Sequence, residues 1–323
     1  MTFLDALGRR LLIGDGGTGT ELLARAPDDL AGRDGLCERL NLERPDVVTE
    51  VHAAFLAAGC DLVRTNTFRA LAPHLEGADA TERARALALA GARLARRAAD
   101  AASTADRPRF VAGSLGPPPA GVEPDDGLVA AYAATAGALV EGGCDLLLVE
   151  TGTALDQVAA AAAGIGSALA AAGRDVPWGV LVTTDHRGRL PSGEDVLDVL
   201  RALLPRRPAL VGVNCGEGPE ALRTAALALG RHCPVPVAVM PSAGLPVAGR
   251  PRGETDLGPE PFAAATASLA GECGAALAGG CCGAGPAHLR ALVDRLAARL
   301  APRRRVRPLP SPGTDGGSAG VAR

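Results

Sequence analysis

The chain has 323 residues, 47% of them hydrophobic, which is enough for one large core and normal for a single α/β barrel with insertions. Net charge is −3 with both signs interspersed, and aromatics amount to 2% (five Phe, Tyr132 and Trp178); this excludes a basic nucleic-acid footprint and a base-stacking surface. All 33 Lys/Arg positions are arginine, so a Schiff-base aldolase, a lysine-bound pyridoxal phosphate enzyme and a lysine-bearing P-loop are excluded as well.

Short β-branched or Leu-rich runs alternate with Ala/Leu/Arg helical stretches along the chain. Leu11 to Gly14 reads as a first strand, ending in the turn Gly16-Gly17-Thr18-Gly19. The amphipathic run Asp46 to Ala58 precedes a second strand, Asp61 to Thr65. The helix Thr81 to Ala102 leads to the strand Phe110 to Ser114, and Leu128 to Glu141 leads to Leu146 to Glu150. Leu155 to Ala172 is Ala-rich but carries polar residues, so it reads as a helix of a soluble protein, followed by the strand Trp178 to Thr183. Glu194 to Leu204 precedes Leu210 to Asn214, Glu217 to Arg231 precedes Val235 to Met240, and Pro261 to Gly271 precedes Ala275 to Gly279. Pro286 to Leu300 closes the series.

Eight strands, each followed by a helix, imply a parallel sheet closed into a (β/α)8 TIM barrel, with a doubly wound open sheet as the rival. The expected domains are a barrel over 1–301 and a disordered tail over 302–323, where Arg303, Arg304, Arg305 and Arg307 sit among Pro, Gly and Ser. No apolar run reaches the roughly 18 residues needed to span a bilayer. Met1 to Arg10 lacks a signal-peptide pattern, so the expectation is a cytoplasmic protein without membrane or nucleic-acid partners.

In a barrel of this kind, reactive groups gather where strands end and the following loops begin. Strand six ends in Val213-Asn214-Cys215-Gly216 and strand eight in Gly279-Gly280-Cys281-Cys282-Gly283, which brings three thiols to one face. A vicinal cysteine pair alone reads as buried thiols; a third cysteine on another strand end of the same face turns the reading to metal. Three thiolates suit zinc and leave a fourth tetrahedral position open, the catalytic arrangement. A substrate thiol entering that position would lose its proton at neutral pH. Cys37, Cys60, Cys144, Cys233 and Cys273 sit on helices or connections and read as small hydrophobes. The five histidines are scattered, without H-x-H or H-E-x-x-H.

Asp15 and Glu150 fall at the same rim, at the ends of strands one and four. Two acids there can hold a substrate ammonium, with the N–H groups of the Gly16–Gly17 loop holding a carboxylate. A general acid/base pair and a structural ion pair are the alternatives. Thr65-Asn66-Thr67-Phe68 adds hydroxyls and an amide at the end of strand two, with Thr67 a candidate substrate contact.

The runs D-G-G-T-G-T (from Asp15), T-N-T-F (from Thr65), L-L-L-V-E-T (from Leu146), G-V-N-C-G (from Gly212) and G-G-C-C-G (from Gly279) together resemble the homocysteine S-methyltransferase family, over about Leu11 to Leu300. The T-N-T-F run, Gly212 to Glu220 and Ser242-Ala243-Gly244-Leu245-Pro246 look closest to the homocysteine module of cobalamin-dependent methionine synthase. The resemblance implies zinc on Cys215, Cys281 and Cys282, the substrate amine on Asp15 and Glu150, and methyl transfer to homocysteine. Ser242 stands where that pattern carries an Asn able to cap the zinc; it is shorter and a poorer ligand, which leaves the resting fourth ligand open, with water one candidate. S-methylmethionine or another sulfonium is the first donor expected and a methyl-corrinoid protein partner the second. Betaine ranks last because it calls for an aromatic cage. A zinc- or thiol-binding relative without turnover is the non-enzymatic reading. The folate and cobalamin domains of the large synthase would have to be supplied elsewhere.

Overall fold

The structure, a computed structural model, describes residues 1–30, 36–244 and 257–297. The strands in chain order are β1 (Leu12–Ile13), β2 (Leu62–Arg64), β3 (Phe110–Leu115), β4 (Leu146–Gly152), β5 (Trp178–Val182), β6 (Leu210–Cys215), β7 (Val237–Pro241) and β8 (Leu277–Ala278). All pair in parallel, each with its sequence neighbour from β2 to β8, and β1 returns beside β8. A parallel bridge between Gly14 and Leu62 joins β1 to β2 and closes the ring. The expected barrel is therefore the observed fold, and the open-sheet rival falls.

The helices before β2 are α1 (Phe3–Leu7), α2 (Thr18–Arg25), α3 (Pro27–Leu30), α4 (Leu40–Glu43) and α5 (Pro45–Ala58). One long helix follows each of the next strands: α6 (Ala80–Ala102), α7 (Asp126–Glu141), α8 (Leu155–Ala172), α9 (Val196–Leu203), α10 (Arg223–His232), α11 (Pro259–Glu272) and α12 (Pro286–Leu296). Asp125 and Asp195 cap α7 and α9 by accepting the N–H of Leu128 and Leu197, which satisfies donors that a helix start leaves free. α8 has the length and apolar composition of a membrane span. In the fold it belongs to the outer ring, with Val158, Ala161 and Ile165 buried and its length packed on α7 and β4. The expected tail, its four arginines, Leu245, Pro246 and the last turn toward Leu300 lie outside the described residues.

Period-two alternation sorts the strand residues into two cores. Ile13, Val63, Val111, Leu147, Val149, Val180, Val211, Val213 and Val239 face the helices. The other parity, including Leu12, Leu62, Phe110, Ala112, Leu146, Leu148, Leu210 and Met240, fills the barrel interior. Helix α1 closes that interior from the N-terminal side with Phe3, Ala6 and Leu7, and the Phe3 ring meets Phe110 edge-on at 5.7 Å. A Thr2–Asp5 capping box starts this helix, so a five-residue element holds without length of its own.

Following the inward parity toward the strand C-termini changes the chemistry. Leu62 gives way to Arg64, Ala112 to Ser114, Leu148 to Glu150 and, across Gly212, Leu210 to Asn214. These four polar side chains are all buried. They form the floor on which the site is built.

Candidate active site: a three-thiol centre in a rim cavity

Cys215, Cys281 and Cys282 place their sulfurs within 4.8 Å of one another, with the Sγ atoms of Cys215 and Cys282 3.8 Å apart. A tetrahedral ion bound at about 2.3 Å to each sulfur would set the sulfurs about 3.8 Å from one another. The donor set and its spacing therefore fit zinc.

Backbone geometry makes the cluster. Cys215 has φ 64° and Gly216 repeats the left-handed turn, so the chain reverses where β6 ends and the thiol is carried to the rim. A left-handed non-glycine residue costs roughly 1–3 kcal/mol and persists only where the surroundings impose it. Here Ser242 N–H donates to Cys215 O (3.1 Å), Ala243 N–H to Cys282 O (2.9 Å), Cys281 N–H to Pro241 O (2.8 Å) and Gly280 N–H to Asp15 O (2.8 Å). The ends of β6, β7, β8 and the loop after β1 are stitched into one unit. That stitching needs glycine: a Cβ on Gly16 would stand 1.8 Å from Ala284 O, and one on Gly17 2.8 Å from Cys281 O.

Neighbouring donors tune the sulfurs. Hydrogen bonds from the thiols of Cys281 and Cys282, and from the Ser242 hydroxyl at 3.6 Å, pull Cys215 far below the ordinary thiol range. Cys281 and Cys282 are driven up by donating to Cys215 and by its negative charge. Three negative sulfurs this close would repel one another, so holding all three as thiolates calls for a cation among them. Asn214 is fully buried between this cluster and β4. Its Nδ2 donates to Thr151 Oγ1 (2.9 Å) and lies 3.8 Å from Cys281 Sγ, while its Oδ1 accepts the Thr151 N–H at 2.8 Å. Thr151 is the second left-handed residue of the site, with φ 58°.

The thiols open onto a cavity of about 350 Å3, in the range of small-molecule sites. Gly16, Gly17, Thr67, Glu150 and the three cysteines all line it, as do Arg64, Ser114, Thr151 and Phe68. Thr67 is held by its own bonds: its hydroxyl donates to Ser114 O at 2.7 Å and meets Thr65 Oγ1 at 2.6 Å. Ser242 touches the site through Cys215. Asp15 is fully buried and does not contribute to the wall. Cys37, expected to be a small hydrophobe of the core, lies in the wall as well.

Arg64 stands between the two acids. Its Nε donates to Asp15 Oδ1 (2.8 Å), its backbone N–H to Asp15 Oδ2 (2.8 Å) and Nη1 to Glu150 Oε2 (2.5 Å); Ser114 Oγ donates to the other oxygen of Glu150. Burial pushes Asp15 up to about 6, against the lowering pull of Arg64. Asp15 and Glu150 both pair with Arg64, a partner that motif reading passed over. The signal was available: a charged residue two positions after inward Leu62 must find a buried counter-charge.

The residues from 12 to 296 match the family model for homocysteine S-methyltransferase. The chain belongs to the homocysteine S-methyltransferase family. It is 39% identical to the methionine synthase of Mycobacterium tuberculosis (strain ATCC 25618 / H37Rv) over 314 residues, 95% of this chain and 26% of that protein. Identity to the Mycobacterium leprae (strain TN) methionine synthase is 38% over 300 residues, 91% of this chain and 25% of that one. The chain thus spans about a quarter of the length of these curated relatives. Among solved structures, the apo form of the homocysteine methyltransferase MmuM from Escherichia coli superposes with a TM-score of 0.70 at 26% identity, covering 91% of this chain and 98% of that one. Its metallated form gives 0.71 at 24% identity, over 88% and 96%.

Proposed function

We propose that this chain moves a methyl group from a sulfonium donor such as S-methylmethionine to the thiolate of homocysteine, giving methionine, with zinc held by Cys215, Cys281 and Cys282. The observation that carries the reading is the convergence of three thiols from two strand ends on one cavity, in a chain of this family. When bound, zinc with three thiolate ligands keeps an open position and supplies a deprotonated, electron-rich acceptor sulfur at neutral pH.

The chain's own residues do the remaining work. Asn214 and Ser242 orient Cys281 and Cys215 by donating toward their sulfurs. Gly16 and Gly17 let the loop after β1 lie against the cysteine turn. Gly16, Gly17, Thr67 and Glu150 wall the acceptor space, and bringing donor and acceptor into one cavity converts a two-body encounter into a positioned reaction. The acceptor sulfur attacks the methyl carbon while the bond to the donor sulfur breaks, its electron pair leaving with a neutral thioether. No proton moves in that step, consistent with a cavity wall that contains no histidine among the described residues. All eight cysteines are free, which suits a cytoplasmic setting.

A methyl-corrinoid protein as donor is the second reading, favoured by the 39% identity to a methionine synthase. A betaine cage finds little support, since Phe68 is the one aromatic residue in the described cavity wall. The test is methionine formation by zinc-loaded protein with homocysteine and either S-methylmethionine or methylcobalamin. Turnover with the sulfonium supports the proposal, and turnover with methylcobalamin alone moves it to the second reading. Thiol binding without turnover from either donor identifies a non-catalytic relative.

A further inference from the structure

Thr151 lines the cavity near the end of β4 in a conformation that its side chain resists. Its φ of 58° is left-handed, a genuine outlier for a β-branched residue. β4 slips its register against β5 between Val149 and Gly152, a local irregularity of the kind that re-aims a side chain beside a site. The turn is held by Asn214, which is fully buried and bonds to Thr151 twice. Donor chemistry fixes the direction of both bonds. A backbone N–H can only donate, so Asn214 Oδ1 faces the N–H of Thr151 (2.8 Å) and Nδ2 faces Thr151 Oγ1 (2.9 Å). An amide nitrogen also only donates, so the Thr151 hydroxyl accepts, and its own proton has no acceptor among the described residues. Two other hydroxyls of the wall differ: Ser114 gives its proton to Glu150, and Thr67 gives its proton to the Ser114 carbonyl. Asn214 Nδ2 also lies 3.8 Å from Cys281 Sγ, so one amide joins the Thr151 hydroxyl to the three-cysteine cluster.

We propose that Thr151 is a further substrate-contacting residue, its hydroxyl donating to the sulfur of the acceptor thiol seated beside the three cysteines. The inference rests on reading the cavity as the acceptor site. A thiol that joins the cluster has Cys281 as a neighbour, and Thr151 Oγ1 reaches Cys281 through the single Asn214 amide. A hydroxyl bonds a charged acceptor more strongly than a neutral one. The contact therefore favours a thiolate over the thioether that replaces it after methyl transfer, and no proton changes hands. It holds the substrate and loosens the product.

Calorimetric titration of the zinc-loaded protein with homocysteine and with methionine, the corresponding thioether, tests this. Thr151→Val keeps the branched shape and loses the hydroxyl. In that variant homocysteine should bind about tenfold more weakly and methionine should shift by less than about threefold, the difference between a charged and a neutral acceptor. Zinc per chain should stay the same, and Thr151→Ser should bind homocysteine as the unaltered protein does. Should the valine variant not fold, Thr151→Gly takes the left-handed turn without strain and carries the same expectation. Equal weakening for both ligands, no weakening at all, or loss of zinc from the folded variant would overturn the inference and leave the acceptor site standing. Failure of the unaltered, zinc-loaded protein to bind homocysteine would overturn the acceptor site, and this inference with it.

Discussion

The two ends of β2 carry opposite electrostatic solutions only three residues apart. At the start, Asp61 is fully buried, with Arg10 at 2.7 Å, Arg107 at 3.2 Å and Arg109 at 3.5 Å, one carboxylate amid three guanidinium groups. At the end, Arg64 is one guanidinium between two carboxylates. The first cluster also accepts the Ile13 N–H and clamps β1, β2 and the loop before β3 below an apolar plug. The second sits where the inward positions have turned polar and a cavity begins. The same fold thus places buried charge at the closed N-terminal face and beside a cavity at its C-terminal face, where a barrel of this kind gathers its functional groups.

Substitutions that separate the two faces sharpen this comparison. The largest effect belongs to the rim: Cys282→Ala should abolish zinc retention and lower methyl transfer by at least about a thousandfold, with the melting temperature of the metal-free protein unchanged. Elemental analysis and a methionine assay check both halves. At the opposite face, Asp61→Ala should cost about 3–5 kcal/mol in denaturant unfolding, because three guanidinium groups lose their buried partner. Its zinc content should stay normal, and loss of zinc in the folded variant would blur the division.

His52 probes a region away from both clusters, the buried side of α5. It is fully buried on α5, neither ring nitrogen has a partner among the described residues, and burial pushes it down to about 4. Between the unfolded value near 6.5 and about 4, the unfolded chain binds a proton that the folded chain refuses. Stability should therefore fall as pH drops through that window, by about 3 kcal/mol, and level off below it. His52→Leu should flatten this part of the pH profile of unfolding; an unchanged slope would assign the acid sensitivity to other groups. The smallest effect is expected from Asn214→Ala, which keeps all three thiols but removes the link from Thr151 to Cys281. Zinc affinity should weaken about 10- to 100-fold by competition with a chelator, at nearly unchanged fold.

The barrel was legible because its signal is local. Runs such as Leu146-Leu147-Leu148-Val149 and Val211-Gly212-Val213 are buried on both faces and read as strands without knowledge of their partners. The short strands were harder: Leu11 to Gly14 and Ala275 to Gly279 were expected, whereas β1 and β8 hold two residues each, with isolated bonds from Gly14 N–H to Ala278 O and from Gly279 N–H to Val239 O continuing beyond them. The five-residue α1 escaped notice because its helix is too short for a periodic signal, although the Thr2–Asp5 box announces it. The three thiols could be found because each lies at a strand end, where chain position maps directly onto the rim. For Arg64 the inward parity announced a buried charge but not its partners, and Asn214 carried no such signal. Their partners lie 49 and 63 residues away, and only closure of the ring brings them together.

The most direct test of the central claim is the zinc content of freshly purified, reduced protein, measured per chain alongside Cys282→Ala. One zinc ion per chain is expected in the unaltered protein and none in the variant. Protein that carries no zinc, and takes up none when it is offered, would contradict it.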